Sequence, residues 1–279
     1  EISACLVGSE MCIRDSAGSG AFTKVGAGLL VLSGDSTGFS GQTNVAAGEL
    51  RVATAASLNG LATAGRWSAA SGATVSFADA VSQSDVVAAL ASGNFASGSF
   101  LGLDVATERA FIADLAGAQG LTKSGAGVLT LSGAGTFTGG VRLAGGTLAF
   151  NSGALGSGPI TFQGNATLRW SGAQTADLSA RLAPVAAGLT AGLDLGANDV
   201  AFASGLAGAG TWNKSGAGVL SLNAVSALTG TLQVSAGTVR MGVAAGLPSA
   251  ALVRIDANAT LDLNLSLIHI SEPTRQAEI

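Results

Sequence analysis

The chain reads as an all-β protein, a right-handed parallel β-helix (β-solenoid) with no or almost no helix. Three observations predict this: a long internal repeat, two-residue alternation within short strands, and paired glycines between them. The repeat dominates, because a fixed period decides the architecture of everything inside it. KVGAGLLVLSG begins at Lys24, KSGAGVLTLSG at Lys123 and KSGAGVLSLNA at Lys214, at spacings of 99 and 91 residues. All three lysines of the chain occupy this one position. Phe39, Phe137 and Leu228 correspond downstream, followed by AAGELRV (46–52), AGGTLAF (144–150) and SAGTVRM (235–241). A further landmark is SGATVSF (71–77), GNATLRW (164–170) and ANATLDL (257–263). Before the second and third lysines, FIADLAGAQGLTK (111–123) aligns with FASGLAGAGTWNK (202–214).

Each element follows from this frame. Leu30, Leu129 and Leu220, then Leu32, Leu131 and Leu222, hold one apolar face at a period of two, and Val31, Thr130 and Ser221 drift towards polar between them. Gly26/Gly28, Gly125/Gly127 and Gly216/Gly218 precede these strands. Glycine tolerates positive φ and suits a corner where the chain turns. The leucines are expected inward and the three lysines outside, at equivalent corners. Asn59-Gly60 is the exception to the lack of hairpin signals, and it lies in a Ser/Ala-rich stretch without alternation. Coils of ~20–25 residues stacked at ~4.8 Å would give ten to twelve coils and a rod of roughly 50–60 Å. An antiparallel sandwich or barrel is the competing fold, and the long period with strand-sized subunits counts against it. The Ala-rich stretches 78–92 and 177–192 sit at equivalent places in the repeat, are interrupted by Gly and Pro184, and are expected to be irregular strands and loops.

The two ends read differently from the rest. LVGSEMCIRDS (6–16) and LSLIHISEPTR (265–275) back-translate to one nucleotide string read on opposite strands, and Glu1–Cys5 against Arg275–Ile279 extends the relation outward. Such an inverted repeat has no purpose at the protein level, and the string resembles the adapter of transposase-based sequencing libraries. The expected division is a non-native segment at 1–16, a β-solenoid at 17–264 and a non-native segment at 265–279. A signal peptide in the first sixteen residues fails, because Glu1, Glu10, Arg14 and Asp15 leave no unbroken apolar stretch.

Both cysteines, Cys5 and Cys12, and the single histidine, His269, fall in the excluded ends. Residues 17–264 therefore carry no disulfide framework and no thiolate metal site. Their 11 Lys and Arg against 12 Asp and Glu leave a net charge of −1 without a basic patch, which argues against nucleic acid. No apolar run reaches the ~18–20 residues of a membrane-spanning helix.

The same region holds no complete catalytic pattern. A Ser-His-Asp triad lacks its base. Gly34-Asp35-Ser36 is similar to the nucleophile segment of serine proteases, but the other copies read GAG and AVS at that turn. A β-helix lyase needs clustered acids with an Arg or Lys base, and only Asp104/Glu108 and Asp194/Asp199 stand near each other. A glycosidase needs two carboxylates ~5–9 Å apart, and nothing singles out such a pair. No calcium repeat, complete GxGxxG or P-loop occurs. Asn165 and Asn258, in N-x-T triplets, are expected to be turn residues. Trp67, Trp170 and Trp212 are expected to fill the coils rather than offer sugar platforms. No catalytic, metal-binding or cofactor-binding residue is assigned, and no cofactor or small-molecule ligand is expected.

The motif K-x-G-x-G-x-L-x-L-S-G, followed by an aromatic-T-G-G segment and G-G-T-L, stands nearly intact over Lys123–Leu148. Here the chain resembles the autotransporter-associated β-strand repeat, in three copies over most of 17–264, the third departing at Asn223 and Leu228. The resemblance implies a passenger domain of a type V secreted protein, displayed on the bacterial surface or released from it through the outer membrane. Without a signal peptide or an amphipathic barrel in view, the chain is expected to be an internal fragment whose partner is a C-terminal outer-membrane β-barrel. It implies a structural or interaction stalk that promotes secretion, with host-cell or matrix surfaces as further partners, and no catalytic residues. A polysaccharide-acting β-helix enzyme is the alternative.

Overall fold

A computed structural model of the chain describes residues 12–13, 18–243 and 246–264. Among these residues every strand pairing is parallel, and the coils form the right-handed β-solenoid the repeat predicts. Successive strands lie on successive faces, and each pairs with the strand about one coil later.

One face begins with Phe22–Lys24, Thr43–Val45 and Trp67–Ala69, extended by a single bridge from Ala69 to Phe95. The next is an eight-stranded sheet that runs from Cys12–Ile13 through Leu29–Leu32, Glu49–Val52, Thr74–Ala78, Phe100–Asp104, Gly120–Ser124 and Val141–Leu143 to Ile160–Phe162. The third, also eight-stranded, runs from Glu108–Phe111 through Val128–Leu131, Gly146–Phe150, Ala166–Trp170, Thr190–Asp194, Thr211–Ser215 and Thr231–Val234 to Leu252–Ile255. The first face resumes as a four-stranded sheet of Val200–Phe202, Val219–Leu222, Gly237–Met241 and Ala259–Asp262.

Alternation builds the core. Leu30, Leu50, Val75, Leu101, Leu121, Val141 and Ile160 are register partners in turn, so one buried apolar ladder runs the length of the second face. Leu129, Leu148, Leu168 and Leu193 form the matching ladder on the third. Each fully buried Leu or Val contributes about 1.5–3 kcal/mol by leaving water. Leu131, Leu220 and Leu222 are buried as expected, while Leu32 is half-buried. The three tryptophans lie in the core, each indole N–H donating to a backbone carbonyl five or six residues away: Leu61, Ala176 and Ala207, at 2.9–3.0 Å. Trp67 and Phe95 stack edge-to-face at 5.1 Å, as do Phe162 and Trp212 at 5.7 Å.

The sequence repeat and the coil do not share a period. From Lys24 three steps along the first face reach Phe95, the chain then passes to the second face at Phe100–Asp104, and one further step reaches Lys123. From Lys123 two steps reach Ile160–Phe162, the chain passes to the third face at Ala166–Trp170, and two further steps reach Lys214. Each repeat is therefore four coils and one face long. The three lysine motifs stand at three successive corners of the cross-section.

One expectation on the Ala-rich stretches is corrected. Gln83–Ala91, inside 78–92, is an α-helix (α1). Ser82 caps it: its hydroxyl accepts from the Asp85 N–H at 3.2 Å and donates to the Asp85 carboxylate at 2.6 Å. Val86 and Ala89 bury its inner side. The helix occupies the side of its coil where the third sheet has not begun. The Gln83 side chain accepts from the Ile112 N–H, covering part of that sheet's edge. In 177–192 the structure has a single 3-10 turn, Ser179–Arg181, and then a strand. Most of the two segments read as non-native lies outside the described residues; Cys12–Ile13 pairs through its backbone with Val31–Leu32.

Candidate functional site

The one motif present in three copies carries its most unusual residue on the inside. Lys123 and Lys214 are 0% exposed and Lys24 is 8% exposed. This corrects the expectation that the lysines stand outside. Lys123 is the register partner of Leu103 on one side and Leu143 on the other, so its alkyl stem takes a place in an inward apolar ladder. Lys214 does the same between Leu193 and Val234. A long stem can fill an apolar position if its charged end finds polar partners.

The partners are backbone carbonyls. The Lys24 ammonium donates to Val25, Gly26 and Ala47, and that of Lys123 to Ser124, Gly125 and Gly145. The Lys214 ammonium donates to Gly216, Gly218 and Ala236. All nine distances lie between 2.5 and 3.2 Å. An ammonium has three N–H groups, and each one here is used. Two acceptors come from the lysine's own glycine corner and the third from the corner of the next coil, so every lysine clamps two coils together.

The clamp explains the glycines. Gly26, Gly125 and Gly216 turn the corner at φ of 78°, 74° and 78°. The later glycines Gly48, Gly146 and Gly237 also have positive φ. A Cβ on Gly48 would lie 2.7 Å from the Lys24 nitrogen, and one on Gly237 2.5 Å from that of Lys214. The lysine, its corner and the AGG-type landmark are thus one device. Burial pulls the Lys123 and Lys214 ammonium groups down to about 8, against the opposing pull of Asp104 and Asp79 on the first and of Asp194 and Asp199 on the second. Burial lowers Lys24 as well, with Glu49 opposing. A period-two reading from the residue two before each lysine (Phe22, Leu121, Trp212) places the lysine on the apolar side, and this is the signal that finds it.

The acids are dispersed along the corners, where they satisfy backbone groups. Asp79 accepts from Ala106, Asp114 from Ala134, Asp177 from Ala203 and Asp199 from Val219, each one coil later, at 2.7–2.9 Å. Asp104 holds Arg51 and Ser124, and Asp194 holds Arg169 and the Gly196 N–H. Of the two neighbouring pairs, Asp104/Glu108 and Asp194/Asp199, Glu108 is exposed, and Asp199 accepts from the Val219 N–H. Asp35 accepts from the Thr37 N–H, while Ser36 is buried, donating to Ala56 and accepting from Asn59. Asn165 caps the Thr190 N–H, and Asn258 sits in a turn at φ 67°. Among the described residues no group of three or more His, Cys, Asp or Glu is placed to hold a metal ion.

Parallel coils closed by lysine clamps define a β-solenoid repeat domain. Three segments, residues 22–52, 121–150 and 213–241, match the passenger-associated-transport-repeat, PATR. Each begins in the lysine strand and ends in the strand after the clamp's last glycine, so the matched unit is the clamped coil. The three matches are consistent with an autotransporter passenger domain in a stalk role, and they support a place at the cell surface or outside it, reached by an outer-membrane system. The family's description names a transport-associated repeat, which points to a structural element rather than to catalysis. The comparisons with curated proteins and with solved structures gave no match.

Proposed function

We propose that residues 17–264 are a rigid stalk within a passenger, carried to the surface through a C-terminal outer-membrane β-barrel and holding further segments away from the cell. The observation that supports this best is the lysine clamp, which ties each repeat's opening coil to the one after it. Coils that emerge in turn from a barrel each bury apolar area on the coil already folded, and a clamp makes that step hard to reverse. The same rod serves adhesion to a host-cell or matrix surface where its outward corners meet one. No residue in it is assigned to catalysis, to a cofactor or to a metal. The segments 1–16 and 265–279 are foreign to the stalk, and native codons flanking the source locus would establish that.

The test is display. The full chain is fused upstream of an autotransporter barrel in a Gram-negative host, and surface exposure is read by added protease. The fusion should reach the surface, and Lys24→Met/Lys123→Met/Lys214→Met should lower the displayed fraction several-fold. Equal display of both would remove the clamp from secretion. Reproducible turnover of a polysaccharide, abolished by changing one carboxylate, would overturn the stalk reading altogether.

A further inference from the structure

We infer that the repeat is a screw module whose three faces are interchangeable, so that this rod presents the same corner in three directions and has no single binding side. The observations are those of register. Phe22–Lys24, Gly120–Ser124 and Thr211–Ser215 are copies of one strand, and they lie on the first, second and third face in turn. The strands after their corners shift with them: Leu29–Leu32 on the second face, Val128–Leu131 on the third, Val219–Leu222 on the resumed first. The inward residue that follows moves likewise, as Leu228 shows by joining the strand paired to Ala207–Gly208.

What the motif requires is a corner, not a face. The clamp uses atoms of one corner and of the corner stacked on it, so it works wherever two strands meet. A unit of four coils and one face can then be copied or removed whole, and everything beyond the junction turns by a third of a revolution. Ala27, Ala126 and Ala217, at the tips of the three GAG corners, are exposed. They are the matching points of a surface that winds around the rod. A partner that recognises this corner meets neighbouring copies on different sides. To hold two at once it must wrap the rod, and a flat surface takes one copy at a time. A fourth copy would return to the starting face.

Two experiments test this. With Cys5 and Cys12 changed to Ser, spin labels are placed pairwise on A27C, A126C and A217C. One repeat rises ~21 Å, the height of four and a third coils at ~4.8 Å. The two neighbouring distances should be nearly equal and clearly longer than that rise, and the 27–217 distance clearly less than twice either. Neighbour distances near the rise itself, with 27–217 twice as long, would place the corners in one row and end the proposal. The second experiment compares deletions. Removing 124–214 joins Lys123 to Ser215 and takes out one repeat, turning the far part by a face. Removing 167–191 takes out one coil and keeps every face. Both should fold, each with the parent chain's strand-rich far-ultraviolet spectrum. Folding of the single-coil deletion alone would mean that the faces differ; if neither folds, the label distances in the full chain decide.

Discussion

An ammonium enclosed by carbonyls is a compromise between desolvation and hydrogen bonding. Lys123→Met keeps most of the stem in its ladder but leaves the carbonyls of Ser124, Gly125 and Gly145 without their donor. The unpaired carbonyls outweigh the relief of an unburied charge, and a loss of about 2 kcal/mol is expected, read as a lower urea midpoint. The clamp also has a pH signature. Lys123 and Lys214 have folded values near 8, below the ordinary 10.5. Between those two values the unfolded chain holds protons that the folded chain has released, so stability rises with pH across that window. The urea midpoint should increase from pH 7.5 to pH 9.5 at constant ionic strength, and the increase should shrink in Lys123→Met/Lys214→Met. A midpoint that does not change over this range would show that the three carbonyls hold the ammonium form as tightly as burial disfavours it, or more so.

At the scale of the element, the strands were legible because alternation, glycine corners and aromatic spacing agree. Leu129 and Leu131 announce a buried face, and the structure buries both. The inward lysine was not read in advance, since charge and alternation conflict at that position and charge is the stronger surface signal. Helix α1 was missed for a related reason: its small, Ala-rich turns show only Val86 and Ala89 to the core, although the Ser82–Asp85 cap stood in the sequence. Aromatic packing also joins neighbouring elements. Trp212 is fully buried, stacks on Phe162 and donates to Ala207. Trp212→Ala should lower stability by about 3–5 kcal/mol, with the far-ultraviolet spectrum of the folded form unchanged. A loss under 1 kcal/mol would show that the coil collapses around the gap.

Over the whole molecule, almost every pairing joins a residue to one about a coil away, so stability is a sum over neighbouring coils rather than a property of one shared centre. Such a stack opens from its ends. Leu252–Ile255 is the last strand of the third face, with Leu252 and Ile255 half-exposed or more, whereas Gly120–Ser124 and Gly146–Phe150 have partners on both sides. Amide exchange should be fastest in the former and slowest in the latter two; uniform exchange would make the rod one cooperative block. The third-of-a-turn step of each repeat was readable from sequence only as a length. That 99 and 91 residues both equal four coils and one face depends on which strands pair, and a repeat aligned to itself carries no record of the face on which it lies.

The enclosed lysines also settle how the folded rod meets reagents and proteases. The chain has three lysines, and all are covered. Acylating agents that seek primary amines find no lysine to modify on the intact rod, and a lysine-directed protease finds no accessible cleavage point. Each becomes available when a corner opens, so lysine chemistry counts openings of the stack coil by coil, without any added label.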